Sequence, residues 1–466
     1  MKFRSEKDSL GVKKVPAEAY YGVHTQRSIE NFKISWKRFP RSFIKAACRL
    51  KKACAQANSE MKLFDARKAK AIARACDEII KGKLAEQFPL DIFQAGSGTS
   101  TNMNINEVIA NRANELLGKK KGSKFVHAND DVNKGQSTNN VIPSSARVAL
   151  VENSAELLEN ISLLIKELKI KGKEFSGVLK SGRTHLQDAV PITLGQEFNA
   201  YAFALEKRRS GVEETLAKLR FLGIGGNAVG TGLNTFPAFR AKIIRNLNRN
   251  SKQKFLQAQN GVEATQFLTD IAAFSSALKL FAIDLNKISN DLRLLSSGPR
   301  TGFGEITLPA VEPGSSIMPG KINPSIAEAT NMACIQVMGN DAAISIACAA
   351  GQLELNTHMP LIAFNAIESE EMLSNAVKTF ALKCVKGIKA DREKCLWYVE
   401  NSAALGTALN PVLGYDKVAE LVKESLRKNK SIKQLVLEKK LLSKKDADFY
   451  LNPKNLTRPN LGLKRK

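Results

Sequence analysis

The segment 264–297 constrains the fold of this chain more than any other part of the sequence. Apolar side chains recur there at alternating steps of four and three, at Phe267, Ile271, Phe274, Leu278, Phe281, Leu285, Ile288, Leu292 and Leu295. This spacing predicts one helix with a continuous apolar seam, because residues three and four apart share a helix face. No Gly or Pro interrupts the segment before Gly298 and Pro299. At ~1.5 Å per residue, such a helix is on the order of 43–50 Å long.

A helix of that length needs partners of similar length, so the sequence predicts a helical bundle rather than a compact α/β domain. The segment 157–168 repeats the same apolar period, and the segment 325–350, rich in Ala and other small residues, is predicted as a third helix. Strand signals are weak and are confined to the residues before Pro16 and to 223–232. Since a single seam leaves apolar surface uncovered, we expect assembly with identical chains.

These patterns predict a mostly α protein with three domains. The predicted domains are an N-terminal mixed, mostly helical domain over 1–137, a central long-helix bundle over 138–393 and a small helical C-terminal domain over 394–466. Gly135 and the residues after it punctuate the chain at the first boundary.

Composition limits the cellular setting. No apolar run approaches the ~20 residues of a membrane span, and the first residues lack the apolar core of a signal peptide. The seven cysteines are odd in number and include no Cys-x-x-Cys pair, which is typical of free thiols in a reducing compartment. We therefore expect a cytoplasmic protein without a membrane partner.

The net charge of +26 raises the question of a nucleic-acid partner. The basic residues are spread out, however, and short runs such as 119–121 and 464–466 have no interleaved aromatic residues. No known nucleic-acid module accompanies them. We interpret the charge as a solvated basic surface that also attracts anionic substrates, and we expect no specific nucleic-acid partner.

Four short segments rich in polar residues and Gly interrupt the apolar chain: 96–104, 136–140, 181–188 and 314–323. Taken singly, each of the first three could be a turn with helix-capping hydroxyls. Together the four provide hydroxyls, amides, an imidazole and an ammonium without a cluster of carboxylates. Such a set suits a dianionic ligand, because hydroxyl and N–H donors bind carboxylates without adding negative charge.

Other site classes are not indicated. The four His lie far apart and show no metal-ligand spacing. The glycines of 223–232 do not fit a dinucleotide-binding motif, and no phosphate-binding loop motif is present. We therefore expect no metal site and no required cofactor.

The run Gly-Ser-Ser-x-Met-Pro-x-Lys-x-Asn at 314–323 resembles the signature loop of the aspartase/fumarase superfamily. The other three segments resemble that superfamily in order and spacing, and the resemblance covers essentially the whole chain. Several stretches are more similar to the aspartate ammonia-lyase branch, namely 20–25, 137–139, 290–300 and 408–415, whereas 127–134 is more similar to class II fumarases. The resemblance implies a three-domain lyase whose central helices form the core of a homotetramer, with each site shared between subunits.

The resemblance also assigns roles to individual residues. Ser315 matches the loop serine that acts as general base, and His185 and Asn139 match groups near the amino group of the substrate. The residues that match ligands of the two carboxylates are Thr99, Ser137, Thr138 and Ser316 for one, and Thr184, Lys321 and Asn323 for the other. The family needs no organic cofactor, and a divalent metal acts only as an activator in some members.

The implied activity is aspartate ammonia-lyase, the reversible deamination of L-aspartate to fumarate and ammonia through an enediolate-like intermediate. Two alternatives remain open: class II fumarate hydratase, and a non-enzymatic scaffold of this family that binds anions or nucleic acid. Two departures from the family pattern lie at Asn140, where Asp is common, and at 357–360, which reads Thr-His-Met-Pro instead of Val-Met-Glu-Pro.

Overall fold

The computed structural model describes residues 2–461. The basic run predicted at 464–466 lies outside these residues. Most of the described chain is helical, which confirms the predicted fold class. Within residues 2–461, four two-stranded sheets accompany the helices.

The N-terminal part contains an antiparallel hairpin and four helices. The hairpin pairs β1 (Phe3–Asp8) with β2 (Gly11–Pro16), where a strand was expected before Pro16. The helices are α1 (Val23–Asn31), α2 (Arg41–Glu60), α3 (Ala66–Ile80) and α4 (Thr99–Leu116). A short π-helical turn, Ala128–Val132, precedes the first long helix.

Long helices dominate the middle of the chain, with two shorter helices between them. In chain order they are α5 (Thr138–Glu174), α6 (Leu194–Lys218), α7 (Phe239–Arg249), α8 (Gly261–Gln266), α9 (Thr269–Leu295), α10 (Ser325–Ala349) and α11 (Met359–Lys383). The C-terminal part forms α12 (Arg392–Asn401), α13 (Asn410–Leu413), α14 (Tyr415–Lys428), α15 (Ile432–Glu438) and α16 (Lys444–Tyr450).

The other strands are short. β3 (Leu179–Thr184) and β4 (Gln187–Thr193) form an antiparallel hairpin with a register shift between Ser181 and Arg183. β5 (Phe221–Leu222) pairs in parallel with β6 (Leu256–Gln257), and β7 (Ile306–Thr307) pairs antiparallel with β8 (Lys389–Ala390).

The predicted seam helix is α9, with a correction at its start. The eight seam residues from Ile271 to Leu295 are at most 5% exposed. Phe267 is 52% exposed and lies outside the helix, because α8 ends at Gln266 and the backbone of Phe267 is extended. The helix of 27 residues is therefore about 40 Å long. Other parts of the same chain bury the seam, so the seam is not an exposed surface for assembly with other chains.

Exposed apolar side chains lie instead on α10. Met332, Ile335 and Ile346 are 66%, 60% and 73% exposed. Among residues 2–461, α10 is the one helix that is long and apolar enough to cross a membrane, and 33% of its most apolar 18-residue window is buried. The sequence-based expectation that no segment approaches the length and hydropathy of a membrane span is therefore corrected. A helix in the core of a water-soluble assembly has the same composition.

The described contacts divide the chain into two compact units. Unit 1 comprises Met1–Glu159, Arg208–Ile283 and Cys334–Ser374, and unit 2 comprises Asn160–Lys207, Asp284–Ala333 and Asn375–Lys466. The three domains predicted from sequence are a different partition and stay a prediction. All seven cysteines are within the described residues and are unpaired.

Candidate active site

The first and second polar segments meet in unit 1. Thr99 begins α4 directly after a tight turn in which Ser97 and Gly98 have φ of 62° and 85°. Asn102, on the first turn of α4, donates from Nδ2 to Oγ1 of Thr138 at 3.1 Å, and Thr138 begins α5. A side chain at Gly98 would come within 3.0 Å of Ile142. The two helix starts are thus packed against each other.

A buried network of amides lies beneath these helix starts. Oδ1 of Asn133 accepts from Nζ of Lys51 at 2.8 Å, from Asn102 at 3.3 Å and from Asn106 at 3.1 Å. Lys51 is fully buried, and this burial lowers the pKa of its amine to about 7. Because Asn102 also holds Thr138, the network fixes the hydroxyl of Thr138 before any ligand arrives.

Ser137 and Asn139 flank Thr138 and remain partly accessible. The carbonyl of Ser137 accepts from the backbone N–H groups of Asn140 and Val141, so Ser137 precedes the first turn of α5. Nδ2 of Asn139 donates to the carbonyl of Ala228 at 2.8 Å. This bond orients the amide and leaves Oδ1 as the acceptor that a ligand can use.

Both departures from the family pattern adjoin these two segments. Asn140 is 1% exposed and donates from Nδ2 to Oγ1 of Thr265 at 3.0 Å, while its Oδ1 has no hydrogen-bond partner. The carbonyl of Thr357 accepts from the backbone N–H of Ser97 at 3.1 Å. Asn140 therefore ties α5 to α8, and Thr357 supports the turn before Thr99.

The third segment forms the β3–β4 hairpin in unit 2. Its two central turn residues, His185 and Leu186, have φ of 56° and 58°. Two positive φ angles in a two-residue loop are typical of a type I′ turn, which usually carries Asn-Gly. Neither His185 nor Leu186 is Gly, so this turn holds backbone strain. Thr184 and His185 are both exposed at the tip.

Buried ion pairs hold the base of this hairpin. Glu305 is 0% exposed and accepts from Nη1 of Arg183 at 2.9 Å, with Nζ of Lys180 at 3.4 Å. The guanidinium of Arg183 also lies over the ring of Phe303, 4.2 Å from its centroid. Ser402 donates to Asp188 at 2.9 Å on the other strand. Arg183 is thus an anchor of the hairpin, and Thr184 and His185 are the side chains left to face a ligand.

The loop 314–323, also in unit 2, is closed by its own contacts. The backbone N–H of Gly314 donates to the carbonyl of Lys321 at 2.9 Å, and Nδ2 of Asn323 donates to the carbonyl of Gly314 at 2.5 Å. Only Gly fits at 314, because a Cβ there would lie 2.4 Å from the Lys321 carbonyl oxygen.

The hydroxyl of Ser315 occupies a particular position in this loop. Its Oγ accepts from the backbone N–H groups of Ile317 at 3.2 Å and Met318 at 3.0 Å. Two donated N–H groups favour the ionised form of an oxygen. Ser316 and Lys321 are exposed, whereas Ser315 is partly buried.

The structure therefore brings the first two segments together and places the other two in unit 2. Among the described hydrogen bonds, none joins the hairpin 181–188 to the loop 314–323. Sequence reasoning missed Lys51, Asn133, Asn102 and Glu305. Lys51 could have been noticed in the sequence, because it is a basic residue on the apolar face of α2. Asn133 and Glu305 could not, because their hydrogen-bond and ion-pair partners lie far away in sequence.

The divalent metal activator that the family resemblance implies for some members stays a prediction for this chain. Within residues 2–461, no group of three or more His, Cys, Asp or Glu side chains is placed to hold a metal ion.

Comparison with known proteins identifies the family of this chain. A family model described as lyase matches residues 11–339, and one described as fumarase C C-terminus matches 405–458. Fumarate hydratase class II of Helicobacter pylori is 45% identical over 461 residues, covering 98% of this chain and 100% of that protein. Aspartate ammonia-lyase of the same species is 44% identical over 467 residues, covering 99% and 100%.

A solved structure shows the same fold over the same length. The class II fumarase of Schistosoma mansoni superposes with a TM-score of 0.94 at 38% identity, covering 98% of this chain and 100% of that one. Because the lyase family model matches most of this chain and relatives of both activities align with nearly all of it, the chain belongs to the aspartase/fumarase superfamily of lyases.

Proposed function

We propose that this lyase is an aspartate ammonia-lyase, which converts L-aspartate to fumarate and ammonia. The observation that carries the proposal is the orientation of Asn139, whose Nδ2 is bound to the Ala228 carbonyl. The remaining Oδ1 is an acceptor, which suits an ammonium group with three donors and no lone pair better than a hydroxyl with one donor and two lone pairs. The aspartase-like stretches at 20–25, 137–139, 290–300 and 408–415 support the same choice.

In this proposal Ser315 is the general base. Its Oγ takes the proton from the carbon next to the β-carboxylate, and the electron pair of the C–H bond moves onto that carboxylate as an enediolate. The two N–H groups on Oγ stabilise the alkoxide that must exist beforehand. The electron pair then returns to form the C=C bond while the C–N bond breaks, and ammonia leaves with the bonding pair.

Fixed donors have to meet the charge that develops on the carboxylate. Thr138, held by Asn102, is the donor that the described contacts fix best. Thr99, Ser137 and Ser316 complete the proposed β-carboxylate ligands, and Thr184, Lys321 and Asn323 bind the α-carboxylate. Nδ2 of Asn323 uses one of its two N–H groups on the Gly314 carbonyl, which leaves the other for the α-carboxylate.

His185 favours a second candidate, class II fumarate hydratase. A hydroxyl group leaves only when it is protonated, whereas a substrate ammonium leaves as ammonia without an added proton. An imidazole exposed on the hairpin tip is the kind of side chain that supplies such a proton. The relatives named for the two activities are equally similar to this chain, at 45% and 44% identity.

Parallel assays with L-aspartate and L-malate test the choice, with fumarate followed by its ultraviolet absorbance. We expect fumarate from aspartate, and malate turnover lower by at least about a hundredfold, which corresponds to roughly 2.7 kcal/mol of transition-state discrimination. Malate turnover equal to or faster than aspartate turnover would move the assignment to fumarate hydratase.

We further propose a homotetramer with sites shared between subunits. The exposed apolar side chains of α10 support it, because a large uncovered apolar face is typical of an assembly surface. Light scattering should give a mass near four times 51.0 kDa. Ile335→Asp should dissociate the assembly and abolish activity, whereas Leu10→Asp, at a residue 77% exposed on the first hairpin, should change neither. A monomer with full activity would contradict shared sites.

The proposed enzyme acts in the cytoplasm, needs no cofactor and has no membrane or specific nucleic-acid partner. The unpaired thiols support a reducing compartment. The net charge of +26 predicts weak binding to any DNA that disappears between low and physiological salt, as gel shifts at two ionic strengths would show. Tight binding to one DNA sequence at physiological salt would contradict this.

A further inference from the structure

A cleft of about 220 Å³ lies in unit 1, and its lining residues are all outside the polar segments of the proposed site. It is formed by the start of α2, the residues just before it, the end of α3 and the residues that follow α3. Four of its lining residues are basic and none is acidic; the basic ones are Arg38, Arg41, Lys45 and Lys83.

The positive charges in this cleft are weakly compensated. Among the described residues, Arg41, Lys45 and Lys83 have no carboxylate within 4.0 Å. Arg38 lies 3.9 Å from Asp91, whose oxygens already accept hydrogen bonds from the backbone of Ile34, Ser35 and Phe93.

Two carboxylates that interact electrostatically with Lys83 and Lys45, those of Glu78 and Glu152, are engaged by other cations. Glu78 accepts from Arg112 at 2.8 Å, and Glu152 is paired with Arg49. The guanidinium of Arg41 approaches Gly82, with Nη2 3.5 Å from the position that a Cβ would occupy there. The Arg41 guanidinium thus lies beside Gly82, the residue before Lys83, and both basic residues line the cleft.

The floor of the cleft is apolar. Ile44 and Ile79 are 7% and 4% exposed, and the ring of Phe39 stacks on Phe43 with centroids 4.1 Å apart. Phe88 lines the same cleft and is partly buried. A purely ionic patch would not need such a floor, whereas a ligand with an apolar body gains from burying it there.

We propose that this cleft binds a small organic phosphate, with the phosphate between Arg41 and Lys83 and a ring-sized apolar body against Phe39 and Phe88. Charge-assisted bonds from Arg and Lys suit phosphate oxygens. The volume is below the ~300–1,000 Å³ of sites for drug-sized ligands, so the ligand is about the size of a single substituted ring. No lining residue belongs to the four polar segments, so the cleft is a second site, independent of the proposed activity.

Isothermal titration calorimetry of the full chain tests the two parts of this proposal with three probes: phenyl phosphate, inorganic phosphate and benzyl alcohol. We expect phenyl phosphate to bind about tenfold or more tightly than inorganic phosphate, and benzyl alcohol not to bind at millimolar concentration. Fumarate at saturation should leave the affinity for phenyl phosphate unchanged. Lack of phenyl phosphate binding, or its displacement by fumarate, would overturn the second site.

Two matched double variants test the cations. Arg41→Ala with Lys83→Ala should weaken phenyl phosphate binding by about tenfold or more. Lys70→Ala with Lys218→Ala removes the same charge from exposed positions outside the cleft and should leave binding unchanged. An equal loss in both double variants would show general attraction to a basic surface and would overturn the proposal. All four side chains are exposed, so both variants should fold, which thermal unfolding checks.

One single variant tests the apolar floor. Phe88→Ala should weaken phenyl phosphate binding severalfold and leave inorganic phosphate binding unchanged, because only the former has a body to bury. If the two probes respond alike, the site is one for inorganic anions and the proposed organic body is wrong.

Discussion

The amide network below Thr138 and the loop 314–323 both position side chains that are proposed to bind the substrate. They differ in burial and in the sequence distance that their hydrogen bonds span. The network is buried and linked across 82 residues of sequence, from Lys51 to Asn133. The loop is largely exposed, and each hydrogen bond described for Ser315 and Asn323 stays within the loop. A buried network fixes the position of a substrate-binding side chain before the substrate arrives. A loop that is bonded only to itself can instead move as one piece over a bound substrate.

The largest effect is expected at the base. Ser315→Ala should lower kcat by roughly 10²–10⁴ while substrate binding is largely retained, because it removes the proton acceptor and leaves the carboxylate ligands. Stability should be unchanged, since the hydroxyl bonds only to the backbone of its own loop. Steady-state kinetics and a thermal melt measure both. A near-native kcat would show that this serine is not the base, and His185 would be the next candidate.

The opposite pattern, a loss of stability, is expected in the network. Asn133→Leu leaves Lys51, Asn102 and Asn106 without their shared acceptor, which should cost about 1–3 kcal/mol of unfolding free energy for each buried donor left unpaired. Urea denaturation measures it. Asn133→Asp, which keeps an acceptor oxygen, serves as the control and should retain most of the stability.

Lys321→Met is the matching variant in the loop. It should raise KM, because it removes a charge-assisted contact to the substrate, and it should not change the urea midpoint. A stability loss as large as that of Asn133→Leu would show that the loop is part of the folded core, and the contrast between the two regions would be lost.

The pH dependence of stability should report on Lys51. Its pKa is lowered from the ordinary 10.5 to about 7 by burial, so between these values the unfolded chain binds more protons than the folded one. Stability contributed by this group therefore rises as pH increases from about 7, by at most about 1.4 kcal/mol per pH unit. Urea midpoints at several pH values measure this rise, and Lys51→Met should flatten it. An unchanged slope in Lys51→Met would mean that another group titrates.

The smallest effect compares two glycines with positive φ, one in each region. Gly98 has φ of 85° and lies against Ile142, whereas Gly320 has φ of 79° and faces open space. Each substitution by Ala carries a conformational cost of about 1–2 kcal/mol. Gly98→Ala should show that cost in full as lost stability, while Gly320→Ala should lose less stability, because the loop can relax, and lower kcat severalfold. Equal losses of stability would argue against a mobile loop.

The sequence predicted α9 well because its information is local. Eight of the nine seam residues are buried as the period of three and four requires. The prediction for Phe267 was wrong. Its spacing from Ile271 fits a helix, but α8 ends at Gln266 and the backbone of Phe267 is extended. The β3–β4 hairpin was not predicted, because its turn carries His-Leu in place of the usual Asn-Gly.

The 20–25 stretch shows how a motif can be identified from sequence while its structural role is not. Its resemblance to the aspartase branch supports L-aspartate as the substrate. In the structure, Glu107 accepts from the backbone of Gly22, His24 and Thr25, which satisfies the free N–H groups at the start of α1. Burial raises the pKa of Glu107 despite these bonds. A Cβ at Gly22 would lie 2.7 Å from Oε2 of Glu6 and 2.9 Å from Cδ of Glu107, so a side chain there would displace these two carboxylates.

By itself, the sequence determined the helical fold class, the positions of α9 and α10, part of α5 and the four polar segments, because apolar periodicity and the spacing of Gly, Pro and hydroxyl residues are properties of neighbouring positions. Only the tertiary structure decided which polar atoms are held and which are left for a ligand. Thr138 is held by Asn102, and Arg183 is held by Glu305, 122 residues away. Such partners are chosen by burial, where every donor needs an acceptor within hydrogen-bond distance, and that requirement is met by the folded chain rather than by any local pattern.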